Sequence, residues 1–206
     1  MRAMIPSQTD KGTQAMLERI GAAWPGYGVA VECGAWLGAG TVALARGLVA
    51  AGYDRPLFAF DRWRATRAEV WKAQRAGVVI VLGEDLLPAW RTNVTPVYAD
   101  LRPRRVSLGH LVWQEGPITV LVVDAAKREP HFSGMMGALL PSLLPGAAVA
   151  LLDYYYWRKW EGKRRQGYQC QERWIAAQGS EFEHVEDVPG DVAALFRYRM
   201  EGGEHE

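Results

Sequence analysis

The chain has 206 residues, with 24 lysines and arginines against 23 aspartates and glutamates and a formal net charge of +1. That is long enough to bury a core as one domain, and it leaves no charge excess to draw the chain onto nucleic acid or an anionic membrane, so a small or neutral partner is expected. Cys33 and Cys170 form no CxxC or Cys/His pattern, which excludes a disulfide framework and fits a reducing cytoplasm; neither a signal peptide nor a membrane span of roughly 20 apolar residues is visible.

In chain order, "TQAMLERIGAAW" (13–24) reads as a helix leading into the strand "VAVEC" (29–33), and "AGTVALARGLVAAG" (39–52) as the helix that follows. The strand "LFAF" (57–60) is closed by Asp61. Residues 62–90 are long for a single crossover and read as an inserted helical cap; the competing reading makes "VVIVL" (78–82) a strand of the sheet.

Further on, "RRVSL" (104–108) and "ITVLVVD" (118–124) read as strands, and "SGMMGALLPSLLPG" (133–146) as a helix stopped by Gly146 before the strand "AAVALLD" (147–153). "FEHVEDV" and "DVAALFRYR" flank "PGD" at 189–191 and predict an antiparallel edge hairpin. Near-continuous apolar strands alternating with helices imply an α/β class: one domain over residues 1–206, a doubly wound and mostly parallel sheet, a C-terminal antiparallel hairpin and a small helical cap at 62–90.

The stretch "AVECGAWLGAGT" (30–41) joins the first strand to its helix. Glycine is needed where backbone turns sharply or lies against a ligand. The glycines here are Gly34, Gly38 and Gly40, with Trp36 at the middle position, so the GxGxxG spacing of dinucleotide sites is not met. Glu32, just before the first glycine, would repel a pyrophosphate and attract a cation, and Asp61 at the next strand end can accept both hydroxyls of a ribose.

With these residues, the chain resembles the class I S-adenosylmethionine-dependent methyltransferases, closest in pattern to small-molecule O-methyltransferases of the catechol and macrocin types. The resemblance rests on "TDKGTQAML" (9–17), "VECGAWLGAGTVALARGL" (31–48), "VVDAAK" (122–127) and "LLPGAAVALLDYYYW" (143–157). It implies a Rossmann-like methyltransferase fold that binds S-adenosylmethionine. Thr9, Lys11, Glu32, Gly34, Trp36, Gly38 and Thr41 would then surround the methionine end, Asp61 and Arg62 the ribose, and Gly109 and His110 the adenine.

For the chemistry, the resemblance implies Asp124 and Asp153 as ligands of a magnesium ion, with Asp124 also beside the cofactor, and Lys127 as general base. A cation beside a hydroxyl lowers its pKa, which is what methyl transfer to oxygen requires. The chain departs from the pattern at Tyr154 and Ala126, where further acids would complete the metal site. Without metal, Asp124, Lys127, His131 or Tyr154 would orient and deprotonate the acceptor.

Nine tryptophans are many for this length; Trp63, Trp71, Trp157 and Trp160 are candidates for an acceptor pocket, with core packing as the alternative. "YYYWRKWEGKRR" (154–165) interleaves aromatic and basic residues, as a nucleic-acid surface would, but the near-neutral charge favours a solvated amphipathic helix. The expected activity is methyl transfer to a small-molecule hydroxyl, in the cytoplasm, by a monomer or homo-oligomer. A nicotinamide-dependent oxidoreductase and a non-catalytic S-adenosylmethionine binder are the rival readings.

Overall fold

All five residues of β1 (Val29–Cys33) are buried, as are all six of β4 (Ile118–Val123), and these two strands lie side by side at the centre of the sheet. The computed structural model describes residues 5–7 and 9–199. Their strands run in the order β3-β2-β1-β4-β5-β7-β6, with β2 spanning Leu57–Asp61, β3 Leu101–Arg105, β5 Leu143–Leu151, β6 Phe182–Asp187 and β7 Ala194–Tyr198. The first five are parallel, and β7 runs antiparallel between β5 and β6.

Chain order reverses between β1 and β4, so the loops leaving those two strands diverge and open a crevice at their carboxyl ends. One face of the sheet packs on α1 (Lys11–Ala22), α2 (Ala39–Ala50) and α4 (Leu87–Val94), around Met16, Leu44, Trp63 and Trp90. The other packs on α5 (His131–Leu139) and α7 (Cys170–Ala177), around Phe132, Met136 and Phe196. Helix α1 starts where the Asp10 carboxylate accepts the Thr13 amide at 2.7 Å. It lies so close to α2 that a Cβ on Gly47 would sit 2.0 Å from the Glu18 carbonyl oxygen.

Two segments depart from expectation, and the competing strand reading of a third fails. The third strand is 101–105 rather than 104–108: an edge strand is wetted on one side and tolerates Pro103, so its polar "LRPRR" carries no apolar signal. The helix expected to reach Gly146 ends at Leu139, because Pro141 cannot continue it. Gly146, at φ +87°, instead belongs to β5, near a break in that strand's register with β4. The segment "VVIVL" is not a strand; Val79 is 89% exposed and Val81 66%.

Residues 62–90 hold α3 (Arg67–Arg75), an irregular stretch and the start of α4. Helix α3 begins with a reciprocal cap, the Thr66 hydroxyl taking the Glu69 amide while the Glu69 carboxylate takes the Thr66 amide. A short α6 (Gly162–Tyr168) precedes α7. No helix among the described residues is long and apolar enough to cross a membrane.

Candidate active site

Where β1 and β4 end, Gly34 carries φ +96°, and a Cβ there would lie 2.5 Å from the Asp124 carbonyl oxygen. Only glycine lets the two loops touch in this way. The Asp124 amide donates to the Cys33 carbonyl at 2.8 Å, and the Gly34 amide to that of Phe60 at 2.7 Å. Gly38, at φ +93°, caps α2, and a Cβ there would strike Val94 at 2.6 Å.

Among the described residues, three that are not glycine have left-handed backbone: Trp36, Trp63 and Ala126. Asp61 secures the first two, accepting the Trp36 amide at 3.0 Å and the Trp63 amide at 2.7 Å. The Trp63 indole donates in turn to the Trp36 carbonyl at 3.1 Å. Strained backbone held by several contacts is common in ligand-binding loops. Burial pushes the Asp61 carboxyl upward, and these amide bonds partly offset that.

Glu32 is 2% exposed. Its carboxylate accepts the Thr41 hydroxyl, and the same hydroxyl oxygen accepts the Trp90 indole N–H at 3.0 Å. Burial outweighs the Thr41 bond and, with Asp124 and Asp61 nearby, lifts the Glu32 pKa to about 8. A Cβ on Gly40 would come within 2.9 Å of this carboxylate, so the third glycine leaves room for the acid.

Glu32, Gly34, Trp36, Gly40 and Asp61 line a cavity of about 440 Å³ that also takes in Thr9, Arg62, Asp124, Lys127 and His131. The remaining candidates stand back from it. Gly38 and Thr41 brace the loop from behind. Lys11 is exposed at the start of α1, and His110 is exposed in a turn after β3. Gly109 packs against His131, whose Nδ1 a Cβ would meet at 2.8 Å.

Asp153 is buried two residues past β5 and forms an ion pair with the Lys127 ammonium. Burial works against that ammonium, but Asp153 and Asp124 outweigh it and hold Lys127 above its ordinary value. Burial and the neighbouring Asp153 push Asp124 well above the carboxylate range. The expected magnesium therefore does not fit: magnesium prefers six oxygens, whereas a lysine already neutralises one of the two carboxylates. Among the described residues no group of three or more His, Cys, Asp or Glu side chains could hold a metal.

Trp63 is fully buried against Trp90, with ring centroids 5.2 Å apart, and belongs to the core rather than to an acceptor pocket. Trp71 is exposed, with Arg75 over its ring. Trp160 stands one ring behind the cavity, stacked on the lining residue Tyr168 at 5.7 Å.

Sequence reasoning missed Lys72, Glu69, Arg128 and Tyr168 as lining residues. The cap signature "TRAE" (66–69) marks where α3 begins, and Lys72, three residues past Glu69, shares its face. Nothing local marks Tyr168. Burial and the Lys127 ammonium both lower the Lys72 pKa.

The family model described as "Methyltransferase domain" matches residues 31–154. Among solved structures, the O-methyltransferase NovP superposes with a TM-score of 0.62 at 16% identity, covering 92% of this chain and 78% of that one. The SAH-bound Podospora anserina methyltransferase PaMTH1 gives 0.62 at 11% identity, covering 94% and 80%. The O-methyltransferase TomG from Streptomyces achromogenes, described as involved in tomaymycin synthesis and solved with SAM, gives 0.58 at 15%, covering 93% and 82%. These likenesses establish the fold. No curated protein matches the sequence.

Proposed function

Because the chain belongs to the methyltransferase-domain family, we propose that it transfers the methyl group of S-adenosylmethionine to a hydroxyl of a small molecule in the cytoplasm. One observation carries the reading: Glu32, Gly34, Trp36 and Asp61 share a single cavity with Asp124 and Lys127. The Glu32 carboxylate would take the cofactor's ammonium group, and Asp61, with both oxygens already fixed by backbone amides, would accept the ribose hydroxyls. The loop amides and α2 hold these groups in place before any ligand arrives.

In the reaction, the acceptor oxygen attacks the methyl carbon, the carbon–sulfur bond breaks and sulfur keeps the electron pair. Most of the acceleration comes from aligning oxygen, carbon and sulfur in one cavity. Lys127, held charged by Asp153, acts as a fixed cation beside the developing oxyanion rather than as the base. The hydroxyl proton passes to Asp124, the lining carboxylate of the same loop. The lysine thus stands where a metal would otherwise supply positive charge, and activity should survive a chelator.

Calorimetry with S-adenosylhomocysteine and with a nicotinamide dinucleotide tests the donor, and tight binding of the dinucleotide alone would overturn the reading. With a 13C-labelled methyl donor, the label should appear in a methyl ether of the acceptor. Label found only in N-methyl groups would reject oxygen as the nucleophile.

A further inference from the structure

The cavity is electrically divided. Its acids Glu32 and Asp61 sit under the glycine loop, where the cationic donor would lie, with Arg62 next to Asp61 in the chain; the rest of the lining carries Glu69 and Lys72 from α3, and Lys127, Arg128 and His131 beyond Asp124. One cation beside the oxyanion is enough for methyl transfer, and Lys127 supplies it. The others exceed what the reaction needs.

Arg128 is the most informative of them. Its guanidinium lies over the Tyr168 ring, 4.4 Å from the centroid, and it pairs with no carboxylate among the described residues. The adjacent Glu129 is turned away to the Ser133 hydroxyl at 2.5 Å. A guanidinium over an aromatic ring and without a carboxylate partner retains N–H donors that can take a carboxylate or phosphate through two parallel hydrogen bonds. Behind Tyr168 the aromatic wall continues, with Tyr156 at 5.0 Å edge to face and Trp160 stacked at 5.7 Å. Rings in this arrangement are fixed against one another, which holds Tyr168, and the guanidinium over it, in place.

Building on the methyl-transfer reading of this cavity, we infer that the acceptor is a hydroxyl compound bearing a carboxylate or phosphate, and that Arg128 binds that anionic group as a specificity-determining residue. The anion meets Arg128, and the hydroxyl is turned toward Lys127 and the methyl group.

The test uses the full chain saturated with S-adenosylhomocysteine and three probes that share one ring: 3,4-dihydroxybenzoate, 3,4-dihydroxyphenyl phosphate and uncharged 3,4-dihydroxybenzyl alcohol. At least one anionic probe should bind about tenfold or more tightly than the alcohol, the range expected for a charge-assisted bidentate contact. That margin should shrink to within about threefold in Arg128→Gln and recover in part in Arg128→Lys. Whichever anionic probe binds tighter identifies the anion. Arg128 is exposed, so neither variant should disturb the fold, and an unchanged melting temperature and S-adenosylhomocysteine affinity confirm this. Equal affinity for charged and uncharged probes, a margin that survives Arg128→Gln, or no binding of any probe to the loaded protein would overturn the inference. Failure of S-adenosylhomocysteine to bind would count against the donor reading instead.

Discussion

The two halves of the cavity are built by different means. The donor half is a property of backbone: Gly34 passes within contact of the Asp124 carbonyl, Trp36 is held at φ +40°, and two acids at strand ends are fixed by a hydroxyl and by amides. The acceptor half is a property of side chains from α3, α5, α6 and the loop after β4, held by ion pairs and stacked rings. A backbone-defined site tolerates almost no added volume. A side-chain-defined site can be retuned one group at a time.

That contrast can be broken most sharply at Gly34. In Gly34→Ala the new Cβ has no room and the residue must hold φ +96°, so the β1 and β4 loops separate. We expect loss of about 2–4 kcal/mol of stability and at least a 100-fold weaker affinity for S-adenosylhomocysteine by calorimetry. Full affinity in this variant would mean that loop contact does not shape the donor site.

The next effect is expected at Lys127, on the acceptor side. Lys127→Met leaves the buried Asp153 carboxylate without its counter-charge and should cost about 2 kcal/mol, since the lysine is partly solvated. Turnover should fall about 100-fold, with cofactor affinity within about threefold of the parent. Adding Asp153→Leu should restore the melting temperature but not the turnover. Recovery of turnover in the double variant would reduce the pair to a structural role.

A smaller effect probes Glu32 by pH. Because burial raises its pKa from 4.5 to about 8, the ligand-free fold is favoured with this carboxyl protonated. The corresponding stability is fully present below about 4.5 and is lost as pH rises through about 8. A cationic ligand reverses the preference, so S-adenosylhomocysteine should bind with proton release, its affinity rising up to tenfold per pH unit below about 8. Glu32→Gln should bind more weakly and flatten both slopes; a parent affinity independent of pH would show that Glu32 does not meet the ammonium group.

The smallest effect lies outside both halves. Gln171 is 1% exposed, and neither of its side-chain amide atoms has a partner among the described residues. Gln171→Met should therefore stabilise the protein by about 1 kcal/mol in a thermal melt and leave both ends of the cavity unchanged.

The parts of the fold legible in the sequence are those where burial is uniform. Strands β1, β2 and β4 read as apolar runs because both of their faces are covered, and Asp61 and Asp124 stood out by interrupting such runs. Strand β3 was displaced because an edge carries little apolar signal, and "VVIVL" admitted a rival strand reading although Val79, Val81 and Leu82 lie exposed in a loop. Trp63 stayed open between pocket and core for a related reason: a large aromatic reads the same in both, and only its packing on Trp90 separates the two.

By itself the sequence determined the loop proposed to hold the donor, because that loop is local: glycines and acids within a few residues of strand ends set backbone turns and charge with little help from the rest of the chain. Only the tertiary structure decided the acceptor half. Lys127 meets Asp153, and Arg128 meets Tyr168, across long stretches of chain. A lysine whose proton is held by a buried carboxylate and a guanidinium stacked on a ring look, in sequence, like any solvated cation, since the partners that define them are supplied by folding.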